Sequence, residues 1–153
     1  MAMNFSSSTF KAQEFIPQKY TGDGPNLSPP LSWSDPPADV RSFALICDDP
    51  DAPMGTWVHW VIWNISADVR SLPDGVPTTR TLESGAVQGK NDFGKLGYGG
   101  PAPPRGKPHR YFFKLYALDA TLNLPPGASK RDLEKAMSGH VRASAELVGL
   151  YRR

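Results

Sequence analysis

The chain has 153 residues, of which 39% are hydrophobic and 21% are charged, a balance that excludes both a disordered and a membrane-spanning chain. The formal net charge of +2 comes from mixed signs and gives no basis for a nucleic-acid partner. Sixteen prolines and fourteen glycines indicate many turns and few helices, which favours an all-β architecture in a single domain over residues 1–153.

The expected cellular compartment rests on the first residues, since a single cysteine leaves the compartment open. The one cysteine, Cys47, excludes an internal disulfide framework. The N-terminal segment lacks the basic start and apolar core of a secretory signal. The sequence also contains no basic amphipathic helix suited to a bilayer surface. We therefore expect a cytoplasmic protein without stable membrane insertion.

Alternation of apolar and polar residues predicts the strands of the first half of the chain. An edge strand with a covering loop is expected within residues 4–20, followed by strands at 31–34 and 41–47. The run from Trp57 to Ile65 is mostly apolar at both sets of alternating positions. This pattern is typical of a strand that is buried on both faces.

The second half begins with a long stretch rich in glycine and proline at residues 85–104, and loops of such length are usually functional or disordered. Residues 109–118 form the next clear strand. Ser129, followed by Asp132, resembles a capping box and predicts the start of a helix. Mostly apolar residues between Leu133 and Tyr151 are spaced three or four positions apart, which predicts a helix along that stretch with these residues in one stripe on its surface.

Five polar side chains, in or just before the strands at residues 57–65 and 109–118, are the main candidates for a functional site. His59 interrupts an otherwise apolar strand that follows Asp49 and Asp51, whereas His109 and Tyr111 share one face at the start of their strand. If the two strands are neighbours, these groups converge. Together with backbone N–H groups of the glycine-rich loop, they would form a small oxyanion site. A carboxylate against each imidazole would fix its tautomer or hold it protonated. The alternative is that both histidines are core residues satisfied by the backbone.

Other site types fit the sequence less well. Two histidines and two aspartates could ligate a divalent metal, but none has helical ligand spacing and His140 lies on the helical stripe, so we expect neither metal nor cofactor. The segment from Gly85 to Asn91 is one residue too short between its glycines for a P-loop. Carboxylates beside Cys47 should raise the pKa of its thiol, which argues against a cysteine nucleophile.

Two motifs resemble the signatures of the phosphatidylethanolamine-binding protein family, which includes the Raf kinase inhibitor protein. The first is Asp49-Pro-Asp-Ala-Pro53 followed by His59. The second is Gly99-Gly-Pro-Ala-Pro-Pro104 followed by His109-Arg-Tyr111. Residues 26–33 and 146–152 also resemble the small bacterial and archaeal branch of that family, so that the likeness covers almost the whole chain.

The resemblance implies a Greek-key β-sandwich of antiparallel sheets with few helices, one of them near the C-terminus. It also implies a pocket for a small anion or phosphorylated group, such as phosphate or the phosphoethanolamine headgroup. The family's pocket maps onto Asp49, Asp51, His59, Gly99, Gly100, Pro101, His109 and Tyr111. Because carboxylates should repel a phosphate dianion, we expect the aspartates to orient the histidines and to meet the ammonium of a zwitterionic ligand. By analogy with the microbial branch, a homodimer is an option.

Two departures from the family pattern limit what can be transferred. Ala102 stands where microbial relatives often carry cysteine, so a thiol role in the loop is absent here. Animal members add a C-terminal helix whose tyrosine closes the pocket, and the segment ending at Arg153 has no clear counterpart. The pocket should therefore be more open, and kinase inhibition does not carry over.

Three functions are compatible with these features. The first is a non-catalytic module that binds a small anion or phosphorylated group and binds or inhibits a partner protein, since no nucleophile with an adjacent base is evident. The second is a hydrolase-type enzyme in which His109 and Asp51 act as an acid/base pair. The third is an inhibitor of a kinase or protease that acts through the loop at residues 85–100. We rank them in that order.

Overall fold

The computed structural model describes residues 3–153, which form two antiparallel sheets and one α-helix. The smaller sheet has the strand order β1 (Asn4–Ser6), β2 (Leu31–Ser34), β5 (Ser71–Leu72). The larger has the order β6 (Val87–Gln88), β4 (Trp57–Ser66), β3 (Ser42–Asp49), β7 (His109–Leu118), β8 (Val141–Tyr151). The helix, α1, spans Lys130–Met137. The all-β prediction is confirmed.

The larger sheet is covered on both faces, which explains why β4 is apolar at both sets of alternating positions. On one face the smaller sheet packs against it, with the rings of Trp33 and Phe43 5.4 Å apart at their centroids. On the other face Leu133 of α1 lies in a separate apolar cluster with Ile46 and Trp63. Burial on both sides is the environment in which a continuous apolar strand is stable.

Strand β3 lies at the centre of this sheet and is buried along its whole length. It pairs with β4 on one side and with β7 on the other, both antiparallel. It runs two residues beyond the predicted end at Cys47 and includes Asp48 and Asp49. The acidic residues can stay in the strand because each carboxylate has a basic partner.

The expected helical stripe from Leu133 to Tyr151 is wrong beyond Met137. The capping box of Ser129 and Asp132 is present and starts α1 as predicted. After α1, Gly139 adopts a positive φ of 84°, and β8 then pairs with β7 from His109↔Tyr151 to Leu118↔Val141. The β8 residues that pack on the core recur every second position, and pairing with β7 supplies backbone hydrogen bonds that outweigh the local helical spacing.

Asp48 ties α1 to the larger sheet. Its side chain is 2% exposed and accepts hydrogen bonds from Lys114 Nζ at 3.3 Å and Lys130 Nζ at 2.8 Å. Lys114 belongs to β7, and Lys130 is the first residue of α1. A buried carboxylate with two ammonium partners thus links three elements.

We expect Asp48→Asn to destabilise the protein by roughly 1–3 kcal/mol, because the substitution leaves two half-buried ammonium groups without their counter-ion. Urea unfolding measures the change. The matched control is Asp74→Asn, which breaks the exposed pair with Lys19, where the side chains are 53% and 43% exposed for lysine and aspartate. The control should change the free energy of unfolding by less than about 0.5 kcal/mol. Equal effects of the two substitutions would contradict a structural role for Asp48.

Candidate functional site

A cavity of about 230 Å³ opens at one end of the larger sheet, where β3 ends and β4 and β7 begin. Convergence of the polar side chains was expected if the strands of His59 and His109 were neighbours, but β3 lies between β4 and β7. Both run antiparallel to β3, so their first residues nevertheless meet at the same end of the sheet. Four of the predicted polar residues line the cavity: Asp49, His59, His109 and Tyr111.

The His109 imidazole is held by a carboxylate. Its Nδ1 lies 2.7 Å from Asp49 Oδ2, and the two side chains are 12% and 4% exposed. Because a carboxylate only accepts hydrogen bonds, the ring donates through Nδ1, and its Nε2 is left for a ligand. The other oxygen of Asp49 accepts a hydrogen bond from the backbone N–H of Asp51 at 2.7 Å, which fixes the carboxylate.

The His59 imidazole is held by a backbone carbonyl, not by a carboxylate as predicted. Its Nδ1 donates to the carbonyl oxygen of Gly99 at 2.6 Å. Burial lowers the pKa of His59, and this effect outweighs the opposing influence of the Gly99 carbonyl and the Asp49 carboxylate. The ring is therefore neutral near physiological pH, and its Nε2 is a hydrogen-bond acceptor.

The Tyr111 phenol completes the polar group. The residue is 1% exposed, and its ring meets the His59 ring edge-on with centroids 5.1 Å apart. Burial, reinforced by the Asp49 carboxylate, raises the pKa of Tyr111 well above its usual value. The hydroxyl therefore stays protonated and acts as a hydrogen-bond donor.

The glycine-rich segment supports the cavity, but the N–H groups of Gly99 and Gly100 are engaged elsewhere and do not contribute to the expected oxyanion site. The Gly99 N–H donates to the carbonyl of His59 at 2.9 Å, and the Gly100 N–H donates to Asn26 Oδ1 at 2.8 Å. The carbonyl of Pro101 accepts from Gly22 at 2.8 Å. None of the three predicted loop residues lines the cavity itself.

Close approach explains why two of these positions are glycine. A Cβ atom at Gly99 would lie 2.6 Å from the ring of Phe93. A Cβ atom at Gly100 would lie 2.4 Å from the carbonyl oxygen of Tyr20. A side chain at Gly100 would meet the backbone of Tyr20 and Thr21 and would shift the loop, whereas a side chain at Gly99 would displace the ring of Phe93.

Asp51 lies outside the cavity. Its carboxylate binds the Arg110 guanidinium through two contacts of 2.9 Å and also accepts the Arg110 backbone N–H at 2.9 Å. This partner lowers the pKa of Asp51. The expected contact of Asp51 with a ligand ammonium therefore has no support in the geometry, and Asp49 is the carboxylate that faces the cavity.

Apolar side chains form most of the cavity wall, and sequence reasoning did not assign them to the site. They are Ala52, Pro53, Met54, Trp57, Phe93, Ala102, Pro103 and Pro104. Trp57 could have been found, since it shares a strand face with His59 at a spacing of two. Phe93 could have been found only as an aromatic residue in the glycine-rich loop.

Other candidate chemistry is not assembled around this cavity. Cys47 is 1% exposed, and burial, reinforced by the neighbouring carboxylates of Asp48 and Asp49, raises the pKa of its thiol well above the usual value. Within residues 3–153, no three histidine, cysteine, aspartate or glutamate side chains are arranged to hold a metal ion. No helix in that range is long and apolar enough to cross a bilayer.

The depressed pKa of His59 predicts a pH dependence of stability. The unfolded chain takes up this proton near the ordinary histidine value of about 6.5, whereas the folded chain resists it. The stability contribution is therefore complete above about pH 6.5 and is lost as the pH falls below it. Urea midpoints measured between about pH 5 and 7.5 should fall on acidification, and His59→Asn should flatten this slope. Parallel slopes for the two proteins would contradict a buried neutral imidazole.

Comparison with known proteins places these features in a family. The family model described as "Phosphatidylethanolamine-binding protein" matches residues 6–152. A protein of Methanothermobacter thermautotrophicus named UPF0098 is 56% identical over 151 residues, which cover 99% of each chain. A UPF0098 protein of Aquifex aeolicus is 50% identical over 99% of this chain and 89% of its own length.

Two crystal structures have the same fold over nearly the whole chain. A homologue of phosphatidylethanolamine-binding protein from Chlamydia trachomatis superposes with a TM-score of 0.91 at 42% identity, covering 99% of this chain and 98% of its own. YbcL of E. coli, described as a new member of the mammalian family, superposes with a TM-score of 0.92 at 36% identity, covering 100% of this chain and 99% of its own. The resemblance of the two motifs is thereby confirmed: the chain belongs to the phosphatidylethanolamine-binding protein family, in the branch of its bacterial and archaeal members.

Proposed function

We propose that this protein is a non-catalytic binder whose cavity takes a small anion or phosphorylated group, such as phosphate or phosphoethanolamine. The observation that carries the proposal is the hydrogen bond between His109 and Asp49 at the wall of a largely apolar cavity. In its imidazolium form, His109 keeps Nδ1 on Asp49 and donates a charge-assisted hydrogen bond to an anion through its Nε2–H.

The other polar groups fit the same ligand. The Tyr111 hydroxyl donates a second hydrogen bond, whereas the neutral His59 accepts one from a protonated phosphate oxygen or from an ammonium group. With His109 protonated, the charges of Asp49 and His109 cancel. The cavity then does not repel a monoanion, and its apolar walls strengthen each hydrogen bond.

Two features support binding without turnover. The proposed acid/base pair of His109 and Asp51 is not assembled, because Asp51 is held by Arg110. Cys47 is buried and protonated, so it is not an available nucleophile. The family's name refers to the binding of a phospholipid headgroup, which agrees with a binding role.

Inhibition of a kinase or protease through the loop at residues 85–100 is less well supported. The Asn91 side chain holds the residues that follow it: it accepts hydrogen bonds from the N–H groups of Phe93 and Lys95 and donates one to the carbonyl of Gly97. A loop that is tied down in this way does not project as an extended segment for a protease. If the protein inhibits a kinase or a protease, we propose that it does so through the ligand-binding end of the sheet.

Removing one donor should weaken binding. Tyr111→Phe is expected to reduce the affinity for phosphoethanolamine by about fivefold to tenfold, the value of one buried hydrogen bond. Isothermal titration calorimetry measures the change. The matched control is Tyr116→Phe, on the same strand but on the opposite face, and it should leave the affinity unchanged. No binding to the wild-type protein would contradict the proposal.

The contact between His109 and Asp49 predicts how binding responds to substitution. His109→Ala removes the imidazole that lines the cavity, so calorimetric titration should show weaker binding of inorganic phosphate. Asp49→Asn keeps the shape of the side chain but removes the charged partner of the imidazole, so it should also weaken phosphate binding. Hydrolysis of a phosphate ester by the wild-type protein that is lost in His109→Ala would favour the enzyme instead.

A further inference from the structure

We propose that Phe93 determines ligand specificity: its ring is the wall between the site cavity and a second, larger cavity. It thereby restricts the bound group to a compact phosphomonoester or a similar small anion. This inference rests on the proposed function and names the class of ligand that the same site takes. It comes from the position of one aromatic ring in the glycine-rich segment.

The second cavity adjoins the first. It has a volume of about 530 Å³, and its lining includes Leu96, Tyr98 and Thr78. Phe93 and Ala102 line both cavities, so these two side chains separate them. Ala102 is too small to form a wall alone, which leaves the phenyl ring as the main barrier.

The ring of Phe93 is wedged between the site and the loop. Its edge-on contacts place its centroid 5.5 Å from the ring of Trp57 and 5.5 Å from that of His59. On the loop side it lies against Gly99, where a Cβ atom would approach it to 2.6 Å. The ring therefore fills the space between the polar end of the site and the backbone of the loop.

The backbone that carries Phe93 is fixed independently of the ring. Asn91 is 3% exposed, and its Oδ1 accepts the N–H of Phe93 at 2.9 Å and that of Lys95 at 3.2 Å. The Asn91 side chain also donates to the carbonyl of Gly97 at 2.9 Å. Phe93 itself is 40% exposed. Removal of the ring should thus open the wall without unfolding the loop.

The wall decides what a ligand substituent can contact. The ring of Phe93 lies between His109 and Tyr111 in the first cavity and Leu96 and Tyr98 in the second, so it keeps a long substituent of a phosphate bound in the first cavity from Leu96 and Tyr98. If the wall were open, each methylene buried in the second cavity would improve the affinity by about fourfold. In the wild-type protein the ring blocks this contact, so a long substituent adds no affinity and compact ligands bind as well as longer ones.

The test compares two ligands that share one headgroup, methyl phosphate and n-hexyl phosphate. Calorimetric titrations give the ratio of their dissociation constants for the wild-type protein and for Phe93→Ala. We expect this ratio to shift in favour of hexyl phosphate by about tenfold or more in the variant. The control Phe93→Tyr retains the ring and should keep the wild-type ratio.

An unchanged ratio in Phe93→Ala would overturn the inference. A crystal structure of Phe93→Ala tests, independently of ligand affinity, whether the ring separates the two cavities. Joined cavities would support the inference, and cavities that stay separate would overturn it. Failure of the wild-type protein to bind either phosphate would instead contradict the proposed function. The two failures are therefore distinguishable.

Discussion

The hydrogen bond between Asp49 and His109 is the interaction on which the site depends. It joins the last residue of β3 to the first residue of β7 at 2.7 Å and leaves one ring nitrogen for a ligand. The neighbouring Asp48 faces the other side of the sheet and holds Lys114 and Lys130. Two consecutive buried carboxylates are tolerated because each has a basic partner, and the same pairing fixes both the helix and the site.

The glycine-rich segment positions the side chains of the candidate site. Its backbone carbonyl at Gly99 selects the tautomer of His59, and the N–H groups of Gly99 and Gly100 are engaged with the carbonyl of His59 and the side chain of Asn26. The loop's second contribution is an aromatic ring, Phe93, which borders the cavity. A preorganised loop of this kind lowers the cost of ordering when a ligand binds.

Local patterns predicted much of this fold. Double burial of β4, the limits of β7, the cap of α1 and the shared face of His109 and Tyr111 all follow from periodicity and capping rules. Periodicity gave the wrong prediction for β8, because the spacing of its residues suits both a helix and a strand. Only pairing with β7 selects the strand. The roles of Asp51 and of the Gly100 N–H group depended on distant partners, Arg110 and Asn26, that no local pattern marks.

The central claim is that a neutral His59 and a carboxylate-held His109 form a binding site for a small anion. Heteronuclear NMR of the imidazole nitrogens tests it most directly, in the absence and presence of inorganic phosphate near neutral pH. The account predicts a neutral His59 protonated at Nδ1 in both states, and a His109 whose Nε2 signal changes when phosphate is added. A charged His59, or His109 signals that do not respond to phosphate, would contradict it.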